Sequence, residues 1–324
     1  MASMKYNNVY INDVFSIAGP LEKEGMIPKF NMVMDDYYFG EKTFENAEVK
    51  MQKTIIENLL KQNKLKDTNI DLVVGGELSN QIATTSYNMR NFNIPFLGVY
   101  SACAIYVQSL IILANMIESK YINTGIALTS SHSQVSEKQF RFPVEYGSPK
   151  PDYTTFTATC AVGNIVSKTA SNIKIESATI GRVMDYGITD VFNMGAIMVP
   201  AAAEVLNRHL SDMKRKIEYY DLILTGDLGE VGRELFKKTV KKQYNLELGK
   251  YMDCGSEIYR EDQPTFSGAS GPVALPLVLW NKVLKDKKIK KVLLIATGAL
   301  HSPIMVNQKN TIPSIAHVVS LEVS

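Results

Sequence analysis

Asp71-Leu72-Val73-Val74-Gly75-Gly76-Glu77-Leu78 returns 150 residues later as Asp221-Leu222-Ile223-Leu224-Thr225-Gly226-Asp227-Leu228. Four of the eight positions are identical, and Glu77 and Asp227 keep an acid at the same place. Each copy is a short apolar run closed by a glycine, the pattern of a strand buried on both faces. The segments downstream of each copy repeat in the same order. Pro95-Phe96 leads to Ser101-Ala102-Cys103-Ala104, and Pro264-Thr265-Phe266 leads to Ser267-Gly268-Ala269-Ser270. An apolar helical pattern comes next in both copies. Then come Leu128-Thr129-Ser130-Ser131-His132-Ser133 and Thr297-Gly298-Ala299-Leu300-His301-Ser302. Matching order over three segments argues for an internal duplication, with halves 1–172 and 173–324.

Strand patterns at 70–74, 124–129, 221–225 and 292–297 alternate with helical patterns at 47–62, 105–119, 201–216 and 273–284. Such alternation predicts an α/β fold with a mostly parallel sheet. Of the 324 residues, 45% are hydrophobic and 21% charged, which excludes global disorder. Lys plus Arg number 35 against 33 Asp plus Glu, a net charge of +2. That balance lacks the basic excess of a nucleic-acid binder. Three cysteines, an odd number in a long chain, argue against a disulfide scaffold. No segment has the roughly 18–20 apolar residues of a membrane span. The N-terminus shows no basic segment followed by an apolar run, so no signal peptide is expected.

Cys103 sits in Gly98-Val99-Tyr100-Ser101-Ala102-Cys103-Ala104, between an apolar strand and a buried helix. A cysteine there faces the positive end of the helix dipole, which lowers its pKa and presents its sulfur at an elbow. It reads as a nucleophile or pocket marker; the other reading is a small buried cysteine. Cys160 and Cys254 have no metal-ligand spacing. His209 reads as a surface residue and His317 as a structural one.

Two pseudo-repeated halves with this elbow in the first resemble the thiolase and ketoacyl-synthase superfamily. Closer resemblance lies in Glu137-Lys138-Gln139-Phe140-Arg141-Phe142-Pro143-Val144-Glu145-Tyr146-Gly147, in Met198-Val199-Pro200-Ala201-Ala202-Ala203, in Leu224-Thr225-Gly226-Asp227-Leu228-Gly229 and in Thr311-Ile312-Pro313-Ser314-Ile315-Ala316-His317. These resemble the stage V sporulation protein AD family of endospore-forming bacteria. The resemblance implies a five-layered αβαβα thiolase-like fold. It implies binding of dipicolinic acid, or its calcium chelate, during uptake into the developing spore. It also implies work alongside membrane proteins of the same operon, at the cytoplasmic face or periphery of the spore inner membrane, and a link to germination. A homodimer is expected by the same resemblance, and no nucleic acid.

Condensing enzymes need an imidazole and an amide around the sulfur to stabilise the oxyanion and move the proton. Here the segment after Asp221–Leu224 offers Asp227 and no histidine, and Ser267–Pro272 offers no asparagine. The expectation is a degenerate site reused for binding, with no catalytic residue. The alternative is an acyl-thioester condensing or acyltransferase enzyme with Cys103 as nucleophile.

A planar aromatic dicarboxylate needs donors for its carboxylates and an apolar face for its ring. Arg141 and Phe142 offer both, although packing of the Arg stem is the other reading. Ser131 and His132 lie on the same loop system, and His301 holds the repeat-related place, where the family usually has leucine. Cys103 marks the pocket. Asp227 suits either a calcium ligand or a helix-start bond, and one carboxylate falls short of the six to eight oxygens calcium prefers. No resident cofactor or metal is expected; calcium would arrive with its chelator. Thr155, Thr157 and Thr159 alternate as on a strand face and read as packing. Lys282, Lys285, Lys287, Lys288, Lys290 and Lys291 read as a solvated turn or as attraction to an anionic membrane.

Overall fold

The computed structural model describes residues 2–141 and 149–324. Its frame is a mixed sheet in two arms. From the middle outward, the first arm runs Tyr10–Ala18 (β2), Cys160–Ser167 (β8), Thr124–Ser131 (β6), Leu72–Gly76 (β4) and Phe96–Gly98 (β5). The second runs Ile173–Thr179 (β9), Ser314–Val323 (β14), Lys291–Ala299 (β13), Leu222–Thr225 (β10) and Tyr251–Asp253 (β11). Numbered within each arm by chain order, both read first, fifth, fourth, second, third, which is the layout a duplication leaves. The two repeated octets fall on β4 and β10. The arms meet where Tyr10 pairs with Lys174.

The expectation of a mostly parallel sheet is corrected. The outer strands are parallel, β5 to β4 to β6 and β11 to β10 to β13. The inner ones are antiparallel, β6 to β8 to β2 and β13 to β14 to β9. These inner strands are hard to see in the sequence because buried polar residues interrupt them, among them Ser16, Asn164, Ser177 and Ser320. Three short pairings complete the set. Ser3–Lys5 (β1) crosses over to pair with β9, Met32–Val33 (β3) pairs with β2, and Phe156–Thr157 (β7) pairs with Ala269–Ser270 (β12).

Helices fill three layers. Phe44–Gln62 (α2) and Ala83–Met89 (α3) cover the outer face of the first arm; Met194–Met213 (α6) and Gly229–Tyr244 (α7) cover that of the second. Ile105–Glu118 (α4) and Ala274–Asn281 (α8) lie between the arms in the central core. Both are apolar nearly all round, as a helix buried on every side must be. The five layers expected from the resemblance are therefore present. Tyr106 on α4 fastens the middle: its hydroxyl donates to Asn164 Oδ1 on β8 and accepts from Trp280 Nε1 on α8, each at 3.0 Å.

Two helix boundaries differ from expectation. The helix expected at 201–216 starts at Met194 and carries Pro200 inside it, and the one expected at 273–284 ends at Asn281, before a separate 3-10 turn at Val283–Lys285. Short helices Pro20–Lys23 (α1), Ser133–Phe140 (α5) and Pro303–Asn307 (α9) come after the ends of β2, β6 and β13. No helix among the described residues is long and apolar enough to cross a membrane.

Candidate functional site

The turn before α4, the helix α5, the segment after β10, the β7–β12 ribbon and the end of β13 converge on one cavity. Cys103, Asp227, His301, Arg141, Phe140 and Thr155 are among its lining residues. Cys103 lies in a single 3-10 turn between β5 and α4, and Ala102 before it holds a left-handed φ of 50°. Only a crowded, over-determined setting holds alanine there. Gly298 on β13 supplies part of that setting. A Cβ at Gly298 would stand 2.3 Å from the Ser101 carbonyl oxygen, so only glycine lets the strand approach the elbow.

The sulfur's partner is a carboxylate. The Cys103 thiol donates to Asp227, and burial together with the Asp227 charge pushes the thiol well above its ordinary value. The lowered thiol pKa expected from the helix dipole is thereby corrected; desolvation and a neighbouring acid override the dipole. Asp227 is 1% exposed. Its oxygens accept from the Gly271 N–H at 2.9 Å and the Thr297 hydroxyl at 3.0 Å. Burial raises its carboxyl to about 7, against those bonds.

The helix-start reading of Asp227 is corrected by its neighbour. Asp253, which carried no signal in the sequence, accepts from the Leu228 and Gly229 N–H groups at 2.9 Å each and serves the start of α7. Asp253 ends β11, a three-residue strand with no apolar run of its own.

His301 lines the cavity with Nδ1 lacking a hydrogen-bond partner, its ring edge-on to Phe140 at 5.2 Å. Burial and the nearby Arg141 charge lower it to about 4, so it is neutral at physiological pH. Arg141 ends α5, pairs with Glu137 and sets its guanidinium 5.6 Å over the Phe192 ring. Glu137 also takes Lys150 at 3.0 Å, so one carboxylate faces two cations.

Other expected site residues turn elsewhere. Ser131 donates to the Ala158 carbonyl at 2.6 Å. His132 caps α5: Nδ1 accepts from the Gln134 N–H at 3.2 Å, and Nε2 donates to the Tyr37 carbonyl at 2.8 Å. Both are fully buried, and neither lines the cavity. Phe142 lies outside the described residues. Thr155 and Thr157, read as packing, do line it, and the Thr155 hydroxyl is buried without a partner. Their alternation was the available signal. His209, read as a surface residue, is buried between Thr179 and the Tyr220 hydroxyl. Among the described residues, no group of three or more His, Cys, Asp or Glu is placed to hold a metal ion.

The family described as stage V sporulation protein AD matches residues 2–322. The chain belongs to that family. A curated relative, stage V sporulation protein AD of Bacillus subtilis (strain 168), is 39% identical over 318 residues, covering 97% of this chain and 94% of the relative. The family name places the chain's work in sporulation. Among solved structures, OleA of Xanthomonas campestris aligns with a TM-score of 0.62 at 13% identity, covering 98% of this chain and 99% of that one. The 3-oxoacyl-[acyl-carrier-protein] synthase III of Aquifex aeolicus aligns with a TM-score of 0.57 at 14% identity, covering 97% and 99%. These likenesses show a thiolase-like fold in a sporulation family.

Proposed function

We propose that the cavity binds dipicolinic acid or its calcium chelate without transforming it, as a step in its uptake into the developing spore. The observation that carries this reading is the thiol's partner. Burial and the Asp227 charge hold the Cys103 thiol well above its ordinary value, and among the described lining residues no amide side chain joins Asp227 beside the sulfur to steady an oxyanion. The lining suits a ring with two carboxylates. Arg141 supplies a cationic donor, and Phe140 with His301 supplies aromatic surface with one open nitrogen.

Calorimetry with dipicolinate, with and without calcium, tests this. Removing the guanidinium in Arg141→Ala is expected to weaken binding by roughly 10- to 100-fold, the range for a charge-assisted bond. Cys103→Ala should bind within a few fold of the unchanged chain. No heat of binding under any condition overturns the reading. So does single-turnover acylation of Cys103 by an acyl-coenzyme A.

A further inference from the structure

The parallel strands run away from an end of the molecule rich in exposed lysines. β13 ends at the cavity with Ala299 and β6 leads into α5, which lines it, so the turns that enter both strands lie at the opposite end. Those turns carry exposed Lys120 in the first half and exposed Lys285, Lys287, Lys288 and Lys290 in the second. Lys168 joins them, because Ser167 pairs with Thr124 at the start of β6. Entries to β4, β10 and β11 add Lys66, Lys216 and Lys250. Among the described residues none of these makes an ion pair, whereas Lys282 and Lys291, flanking the cluster, pair with Glu257 and with Glu176 and Glu322. The duplication has placed unpaired lysines at equivalent turns of both halves, after α4 and after α8.

We infer that this end docks on an anionic lipid surface, leaving the cavity facing away from it. Three features favour lipid over nucleic acid. The exposed cations named above are all lysines, point charges suited to headgroup phosphates. Arg215, the forked donor nearby, is held by Glu176 at 3.0 Å and stacks on Tyr219. Tyr121, beside Lys120, is 82% exposed, an amphipathic ring of the kind enriched at lipid interfaces. Finally, the nine unpaired lysines outnumber the exposed acids of the same turns that also lack an ion pair among the described residues, Asp71, Glu218, Asp221 and Asp286, so this end carries a positive excess on a chain whose net charge is only +2, which favours one orientation on a charged plane. Docking at this end does not depend on what the cavity holds.

The test is co-sedimentation of the full chain with phosphatidylcholine vesicles containing roughly 30% phosphatidylglycerol, against pure phosphatidylcholine. Binding is expected only to the anionic vesicles, and it should fade as salt rises from about 0.05 to 0.5 M. The variant Lys285→Glu/Lys287→Glu/Lys288→Glu/Lys290→Glu should lose on the order of 100-fold or more, at about fivefold per lysine. Lys120→Glu/Tyr121→Ser, in the other half, should lose about tenfold and stands alone if the first variant fails to fold. Equal sedimentation with both vesicles overturns the proposal. So does indifference to the two variants, or duplex DNA bound as tightly as the anionic vesicles at the same salt.

Discussion

Asp227→Asn is expected to remove a pH dependence that the parent chain carries. The folded carboxyl titrates at about 7 rather than at 3.8. Between those values the folded chain keeps a proton that the unfolded chain has released. Stability therefore falls as pH rises through this window and levels off above it. Measured against Asp227→Asn, the parent should lose up to roughly 4 kcal/mol between about pH 4 and pH 8. The amide cannot accept from both the Gly271 N–H and the Thr297 hydroxyl on separate oxygens, which costs about 1 kcal/mol at every pH. The variant should thus be the less stable chain in acid and the more stable one in mild base. Urea unfolding at the two ends of the range checks this, and a pH-independent offset contradicts it.

The second large effect belongs to Tyr106. Its ring is 1% exposed among α4, α8 and β8, and its hydroxyl serves Asn164 and Trp280 together. Tyr106→Ala opens a cavity worth about 3–5 kcal/mol and leaves the Trp280 N–H and Asn164 Oδ1 without this partner, adding about 1–3 kcal/mol. Tyr106→Phe keeps the packing and isolates the second part. Chemical denaturation of the pair should show the alanine variant losing several times more than the phenylalanine one. Equal losses would mean that the hydroxyl, not the ring, holds the layers.

Repetition and short-range pattern made part of this molecule legible in its amino acids. The apolar runs at β4, β6, β10 and β13 and the elbow at Cys103 are features of that kind. The sulfur's environment is not. Its high pKa comes from burial and from Asp227, 124 positions away in the chain, and these outweigh the local helix dipole. The repeat singles out Asp227, yet its bonds run to Gly271 and Thr297 rather than to its own helix. His132 and Ser131 looked like ligands because polar residues at a strand end often are. They are absorbed instead by a helix start and a carbonyl, bonds set by how the chain turns after β6. The threonine alternation marked a face correctly and left open what that face looks upon.

The little ribbon of β7 and β12 joins residues from opposite halves through only two register pairs, Ala269 with Phe156 and Ser270 with Thr157. Thr157 and Ser270 both border the cavity. The pocket floor is therefore sewn across the seam, whereas each outer core is drawn from one half alone. A guest seated there reports on the angle between the halves, and a tilt of one against the other reshapes the floor before it disturbs either outer core. Occupancy and posture are coupled in such a molecule by construction.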